Sequence, residues 1–105
     1  MATLKITVPA DKIEAFCRKW QITEFALFGS VLRDDFGPDS DVDVLVSFAA
    51  DARWSLWDHV EMEEELRALL GRPVELLTRR AVERSPNWVR RNAILSSAET
   101  VYGRR

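Results

Sequence analysis

The sequence predicts an α+β domain, a small β-sheet flanked by helices, and three observations carry that expectation. Ile13, Phe16, Cys17 and Trp20 recur at helical spacing. Runs suited to strands occur at 22–28, 41–48 and 73–78, each bounded by polar or turn-forming residues. Between the last two, Ser55 with Asp58 matches a capping box, and Gly71 stands where the helix it opens would end.

Length and composition bound the class. The 105 residues are expected to form one domain, 1–105, around a single modest core. Apolar content of 47% and charged content of 30% fit an ordinary globular protein. No apolar run approaches the roughly 18 residues needed to span a bilayer. The N-terminal MATLKITVPADK lacks the apolar core of a signal peptide, so a cytoplasmic location without membrane contact is expected. Cys17 is the only cysteine and His59 the only histidine, which leaves little for disulfides, thiolate zinc sites or Cys/His dyads. The net charge of −2 conceals an asymmetry: residues 1–66 carry 6 Lys/Arg against 14 Asp/Glu, and residues 67–105 carry 9 Arg against 3 Glu. A basic second half is compatible with nucleic-acid contact, but a solvated surface with a few phosphate-facing arginines is the simpler reading.

In chain order, Leu4, Ile6 and Val8 alternate as a short leading strand would. Pro9 opens the first helix, whose Cys17 reads as a small core residue. The strand at 22–28 runs into Gly29-Ser30-Val31-Leu32-Arg33, a tight turn leading to a short helix, and Gly37-Pro38 marks a second turn. On the strand at 41–48, Val42, Val44 and Val46 line one face and Asp41, Asp43 and Leu45 the other. After a loop at 49–53, the helix from Ser55 to Leu70 is expected to turn Leu56, Val60, Leu66, Leu69 and Leu70 inward. Glu61 and residues 63–65 then form a solvated outer face, and Trp54 and Trp57 pack against the sheet. On the strand at 73–78, Val74 and Leu76 face inward and Glu75 faces away. Ser85-Pro86 reads as the N-cap and first position of a last helix packed through Ile94, Ala98, Val101 and Tyr102.

The chemistry concentrates in 25–46, FALFGSVLRDDFGPDSDVDVLV. Small residues straight after a buried strand, Gly29 and Ser30, let backbone approach a phosphate closely. Asp41 and Asp43, spaced i, i+2 on a strand, share a face and can share hard cations. Side by side and ionised they repel; a divalent cation removes the conflict, and the phosphates of ATP supply further oxygens. Glu75 is the acid placed on a neighbouring strand to complete a two-metal arrangement for in-line displacement at phosphorus. Rival motifs fail. An EF-hand starting at Asp39 would have Val44 where glycine is required and Ala50 where glutamate is required, and the chain has no P-loop lysine. Arg53 with His59 is too sparse a pair to mark a ribonuclease.

Gly29-Ser30, ten residues, then Asp41-x-Asp43 resembles the signature of the minimal nucleotidyltransferases, small members of the DNA polymerase β-like superfamily. The resemblance continues through Arg33, GRPVELLT at 71–78 and ILSSAETVY at 94–102, and so covers nearly the whole chain. It implies a mixed sheet flanked by helices, and Mg²⁺-dependent transfer of a nucleoside monophosphate from a triphosphate with release of pyrophosphate. By the same resemblance Gly29 and Ser30 hold the β- and γ-phosphates, and Asp41 and Asp43 bind two Mg²⁺ ions. The third acid, Glu75, assists one metal and deprotonation of the acceptor hydroxyl. Arg33 steadies phosphate or acceptor charge, or pairs with Asp34 or Asp35 at the surface. Family members more often carry Asp where this chain has Glu75, and Gly where it has Asp34.

Minimal nucleotidyltransferases of this kind resemble the antitoxin half of two-gene modules whose other product is a HEPN-type toxin, on which they modify a tyrosine with AMP. The expected activity is therefore transfer of AMP from ATP to a partner protein, within a homo- or hetero-oligomer. With no acceptor-binding domain expected within 1–105, a small-molecule nucleotidyltransferase is a weaker alternative. A non-catalytic antitoxin that works by stoichiometric binding is the other.

Overall fold

The computed structural model describes residues 9–29 and 41–103. The expected leading strand at Leu4–Val8, Ser30, Arg33 and the turn at Gly37-Pro38 lie outside those residues.

Helix α1 (Ala10–Lys19) follows Pro9, as the sequence anticipates. Strands β1 (Ile22–Phe28) and β2 (Val42–Phe48) pair antiparallel, and β2 pairs in parallel with β3 (Val74–Thr78) through the crossover helix α2 (Leu56–Leu70). Two more helices, α3 (Arg79–Glu83) and α4 (Trp88–Ser97), precede β4 (Glu99–Gly103). The strand order β3-β2-β1-β4 makes a mixed four-stranded sheet, with β4 antiparallel to β1. The expected α+β class and flanked sheet are therefore present.

Period-two alternation divides the sheet into two faces. Val42, Val44, Val46, Val74, Leu76, Phe25 and Leu27 form one core with Ile13, Phe16 and Cys17 of α1 and with Met62 and Leu66 of α2. Ala26, Phe28 and Leu45 form a smaller core on the other face with Val82 of α3 and Ile94 of α4. Burial pushes the Cys17 thiol up from 9.0 to about 12, consistent with a packing role.

The capping box at Ser55 and Asp58 is complete, and α2 ends on Gly71 in the left-handed conformation, φ 70°. Its inward stripe differs from expectation. Met62 and Leu66 are buried, whereas Leu56, Trp57 and Val60 are exposed. The acids assigned to the outer face partly turn in. Glu63 Oε2 accepts the Leu76 backbone N–H of the edge strand β3 at 2.9 Å, and Glu65 Oε1 accepts the Trp20 indole N–H at 2.9 Å. Both stripes of α2 offer apolar residues; the edge N–H of β3 needs an acceptor, and the rotation that supplies Glu63 turns Leu56 and Val60 outward. Trp54 packs edge-on to Trp20 with centroids 5.1 Å apart, while Trp57 is solvent-facing.

The C-terminal third also departs from expectation. The chain forms a short α3 capped by Thr78, and the following helix is capped by Asn87, whose side chain accepts from the Arg90 N–H, rather than by Ser85. That helix stops before Ala98, which is extended at ψ 134°. Val101 and Tyr102 then pack from a strand instead of a helix. The register slip between Phe25 and Ala26 lets both reach the first core. β-branched Thr100 and Val101 suit a strand, and the unpaired side of β1 supplies the partner.

Candidate active site

Three strand ends build the site. β1 ends at Phe28, opposite Asp43 in the antiparallel register, and Gly29 turns the chain away with φ 77°. A side chain at Gly29 would collide with the Asp43 carboxylate: an added Cβ would overlap Oδ2 and sit 3.2 Å from Cγ. The glycine leaves backbone and carboxylate in direct approach, with no side chain between them.

In the parallel register of β2 and β3, Asp43 stands beside Glu75. Both lie on the face away from Val42, Val44, Val74 and Leu76, as expected. Adjacent strands run about 4.8 Å apart, so the two residues are lateral neighbours. Asp41 is exposed immediately before β2, and the Val42 N–H donates to the Pro73 carbonyl at 2.9 Å, tying this end of β2 to the start of β3. Gly29, Asp41, Asp43 and Glu75 are thereby gathered at one end of the sheet. Ser30 and Arg33, the other candidates, lie outside the described residues.

Among the described residues, no group of three or more His, Cys, Asp or Glu side chains is disposed to hold a metal by itself. The donor set nevertheless fits Mg²⁺, a hard cation held through one or two carboxylates together with substrate phosphates rather than by an all-protein cage. A glycine straight after a strand is where backbone N–H groups can meet such phosphates.

Further along the same face, Glu24 accepts the Thr100 hydroxyl at 3.2 Å and pairs with Arg79 at 3.3 Å. Arg79 belongs to no sequence motif; the one sequence signal for its position is the capacity of Thr78 to cap a helix over TRRAVE. No helix among the described residues is long and apolar enough to cross a membrane.

Residues 11–101 match the model of the nucleotidyltransferase domain family. The protein adenylyltransferase MntA of Thermococcus cleftensis is 38% identical over 65 residues, 62% of this chain and 64% of that protein. The aligned stretch thus spans less than two thirds of that relative. A crystal structure of a toxin–antitoxin with AMP-PNP superposes with a TM-score of 0.71 at 23% identity, over 93% of this chain and 76% of the matched one. A complex of tri-AMPylated Shewanella oneidensis HEPN toxin with MNT antitoxin gives 0.62 at 24% identity, over 90% and 70%. At these identities the two structures establish likeness of fold.

Proposed function

Because the chain belongs to the nucleotidyltransferase domain family, we propose that it transfers AMP from ATP to a tyrosine hydroxyl of a HEPN-type toxin, serving as that toxin's antitoxin. The observation that carries this reading is the convergence of Gly29, Asp43 and Glu75 at one sheet end, within a family whose chemistry is nucleotidyl transfer. The relative named as a protein adenylyltransferase and the like-folded antitoxin found with an AMPylated HEPN toxin support the choice of acceptor. The like-folded complex with AMP-PNP supports ATP as donor.

In this reading Gly29 and Ser30 hold the β- and γ-phosphates through their backbone, and Arg33 offsets phosphate charge. Asp41, Asp43 and Glu75 would hold two Mg²⁺ ions, which when bound stabilise charge on the attacking and leaving oxygens. Glu75, on the neighbouring strand, takes up the acceptor's proton. The tyrosine oxygen bonds to the α-phosphorus as the bond to pyrophosphate breaks, so one AMP is gained and one pyrophosphate leaves. We assign this chemistry to one domain, 1–105, acting in the cytoplasm as part of an oligomer with its partner.

The test incubates the chain with a co-purified HEPN-type partner, Mg²⁺ and α-labelled ATP, beside the Asp41→Asn/Asp43→Asn variant. Label on the partner with wild type alone is the expected result. Equal neutralisation by both proteins, with no label on the partner, would instead make this a binding antitoxin.

A further inference from the structure

A concavity lies at the other end of β2 and β3, with a volume of about 390 Å³. Its walls include Arg53, Trp54, Thr78, Arg79, Arg80 and Glu83. Asp43 pairs with Glu75 at one end, and Val46 pairs with Thr78 three residues further along each strand. At about 3.3 Å per residue the cavity therefore begins on the order of 10 Å from the acids. Leu45, Val82 and Ile94 of the smaller core occupy the intervening face. The cavity is thus separate from the site already described.

Its walls are held in place by the protein itself. Arg53 Nη1 donates to the carbonyls of Ala50 at 3.2 Å and Ala52 at 3.0 Å, and the Ala52 N–H closes a turn onto the Ala49 carbonyl at 3.0 Å. The Trp54 indole N–H donates to the Trp20 carbonyl at 2.9 Å while its ring meets Trp20 edge-on. Across the cavity, the Thr78 hydroxyl accepts the Ala81 N–H at 3.2 Å and fixes the start of α3. A wall ordered beforehand spares a ligand much of the entropic cost of assembling it.

The charges facing the cavity are mainly positive. Arg79 is answered by Glu24, whose Oε1 lies 3.3 Å from its Nε. Arg53 donates only to neutral carbonyls, so its charge is not compensated by those contacts. The Arg80 guanidinium makes no hydrogen bond or ion pair within the described residues, and Arg80 also borders the two adjoining hollows, one of them shared with Arg84. Glu83 is the one carboxylate among the lining residues. Guanidinium forks suit phosphate oxygens bidentately, and the partly exposed indole of Trp54 offers an apolar wall to a planar ring. The volume falls within the few hundred cubic ångströms usual for organic ligands.

We propose that this cavity is a second binding site, metal-independent, for a phosphate ester of nucleotide size, with Arg53 and Arg80 holding the phosphate and Trp54 flanking the ring. The site is distinct from AMP transfer and does not depend on it.

The test uses the whole chain, ¹⁵N-labelled, in EDTA, titrated with AMP and separately with inorganic phosphate. The Trp54 indole signal is assigned through Trp54→Phe. AMP should shift that signal saturably and bind at least tenfold more tightly than phosphate. Arg80→Glu, at an exposed position and checked for folding by circular dichroism, should weaken AMP binding tenfold or more. Asp41→Asn/Asp43→Asn should leave it unchanged. Absence of a Trp54 shift at millimolar AMP, shifts confined to the neighbourhood of Gly29 and Asp43, or equal binding of phosphate and AMP would each overturn the proposal. So would an Arg80→Glu variant that loses its protein partner while wild type ignores AMP, an outcome that assigns the arginines to an acidic protein segment.

Discussion

Gly29 lies so close to Asp43 that one added methyl group would overlap the aspartate's carboxylate. Gly29 also carries a φ of 77°, a region that costs an L-residue about 1–2 kcal/mol. Gly29→Ala should therefore lower stability by about that amount. It should lower the proposed AMP transfer far more, by about a hundredfold, because displacing a reacting group by an ångström can cost that much. Thermal unfolding beside single-turnover kinetics separates the two effects; a variant with native turnover would show that the close approach serves only the turn.

Glu75 is exposed and neighbours Asp43 across the parallel register, so its removal should leave folding almost untouched. Glu75→Gln should lower the transfer rate by about a hundredfold with a melting temperature near that of wild type. Glu75→Asp should retain more activity than Glu75→Gln, since it keeps the charge. Equal loss in both variants would argue that reach, rather than charge, is what the position supplies.

Glu63 caps the edge strand through the Leu76 N–H at 2.9 Å. Glu63→Ala leaves that donor without its acceptor and should cost about 1–3 kcal/mol in a denaturant titration. Glu63→Gln retains an acceptor oxygen and should cost less. Accelerated hydrogen exchange at Leu76 in the alanine variant would locate the loss at the β3 edge.

Gly71 separates conformational cost from steric cost. Its φ is 70°, yet an added Cβ would meet nothing within 4 Å. Gly71→Ala should destabilise by about 1 kcal/mol through the left-handed conformation alone, and Gly71→Asn by less. Chemical denaturation of both variants decides this.

Cys17 is buried, and its pKa is raised from 9.0 to about 12 by desolvation. A raised pKa favours the protonated form in the folded state, so this group's contribution to stability is intact below pH 9 and is lost as pH rises toward about 12. At pH 9 a disulfide reagent should label the thiol only as fast as the chain opens, and at once in denaturant. Rapid labelling of the folded protein would contradict its burial.

The sequence by itself determined which residues alternate and which small or acidic residues stand at strand ends. Strand alternation assigned Val42, Val44 and Val46 to one face and Asp43 to the other, because a period of two follows from backbone geometry alone. The complete capping box at Ser55 was legible because its partners lie three residues apart. The acids of the candidate site can be named from sequence for the same reason: Asp41 and Asp43 are neighbours in sequence, and Glu75 follows from alternation on its own strand. Only the tertiary structure decided matters that depend on distant partners. The inner stripe of α2 was one, where Leu76 of β3 needed Glu63. The path of Glu99–Gly103 was another, because the open edge of β1 made that segment a strand. The nearness of Gly29 to Asp43 belongs here too, since antiparallel pairing across a polar segment sets that distance. Arg53, Arg79 and Arg80 came together in the same way. A loop after β2 and a helix after β3 share a wall only because those two strands lie side by side.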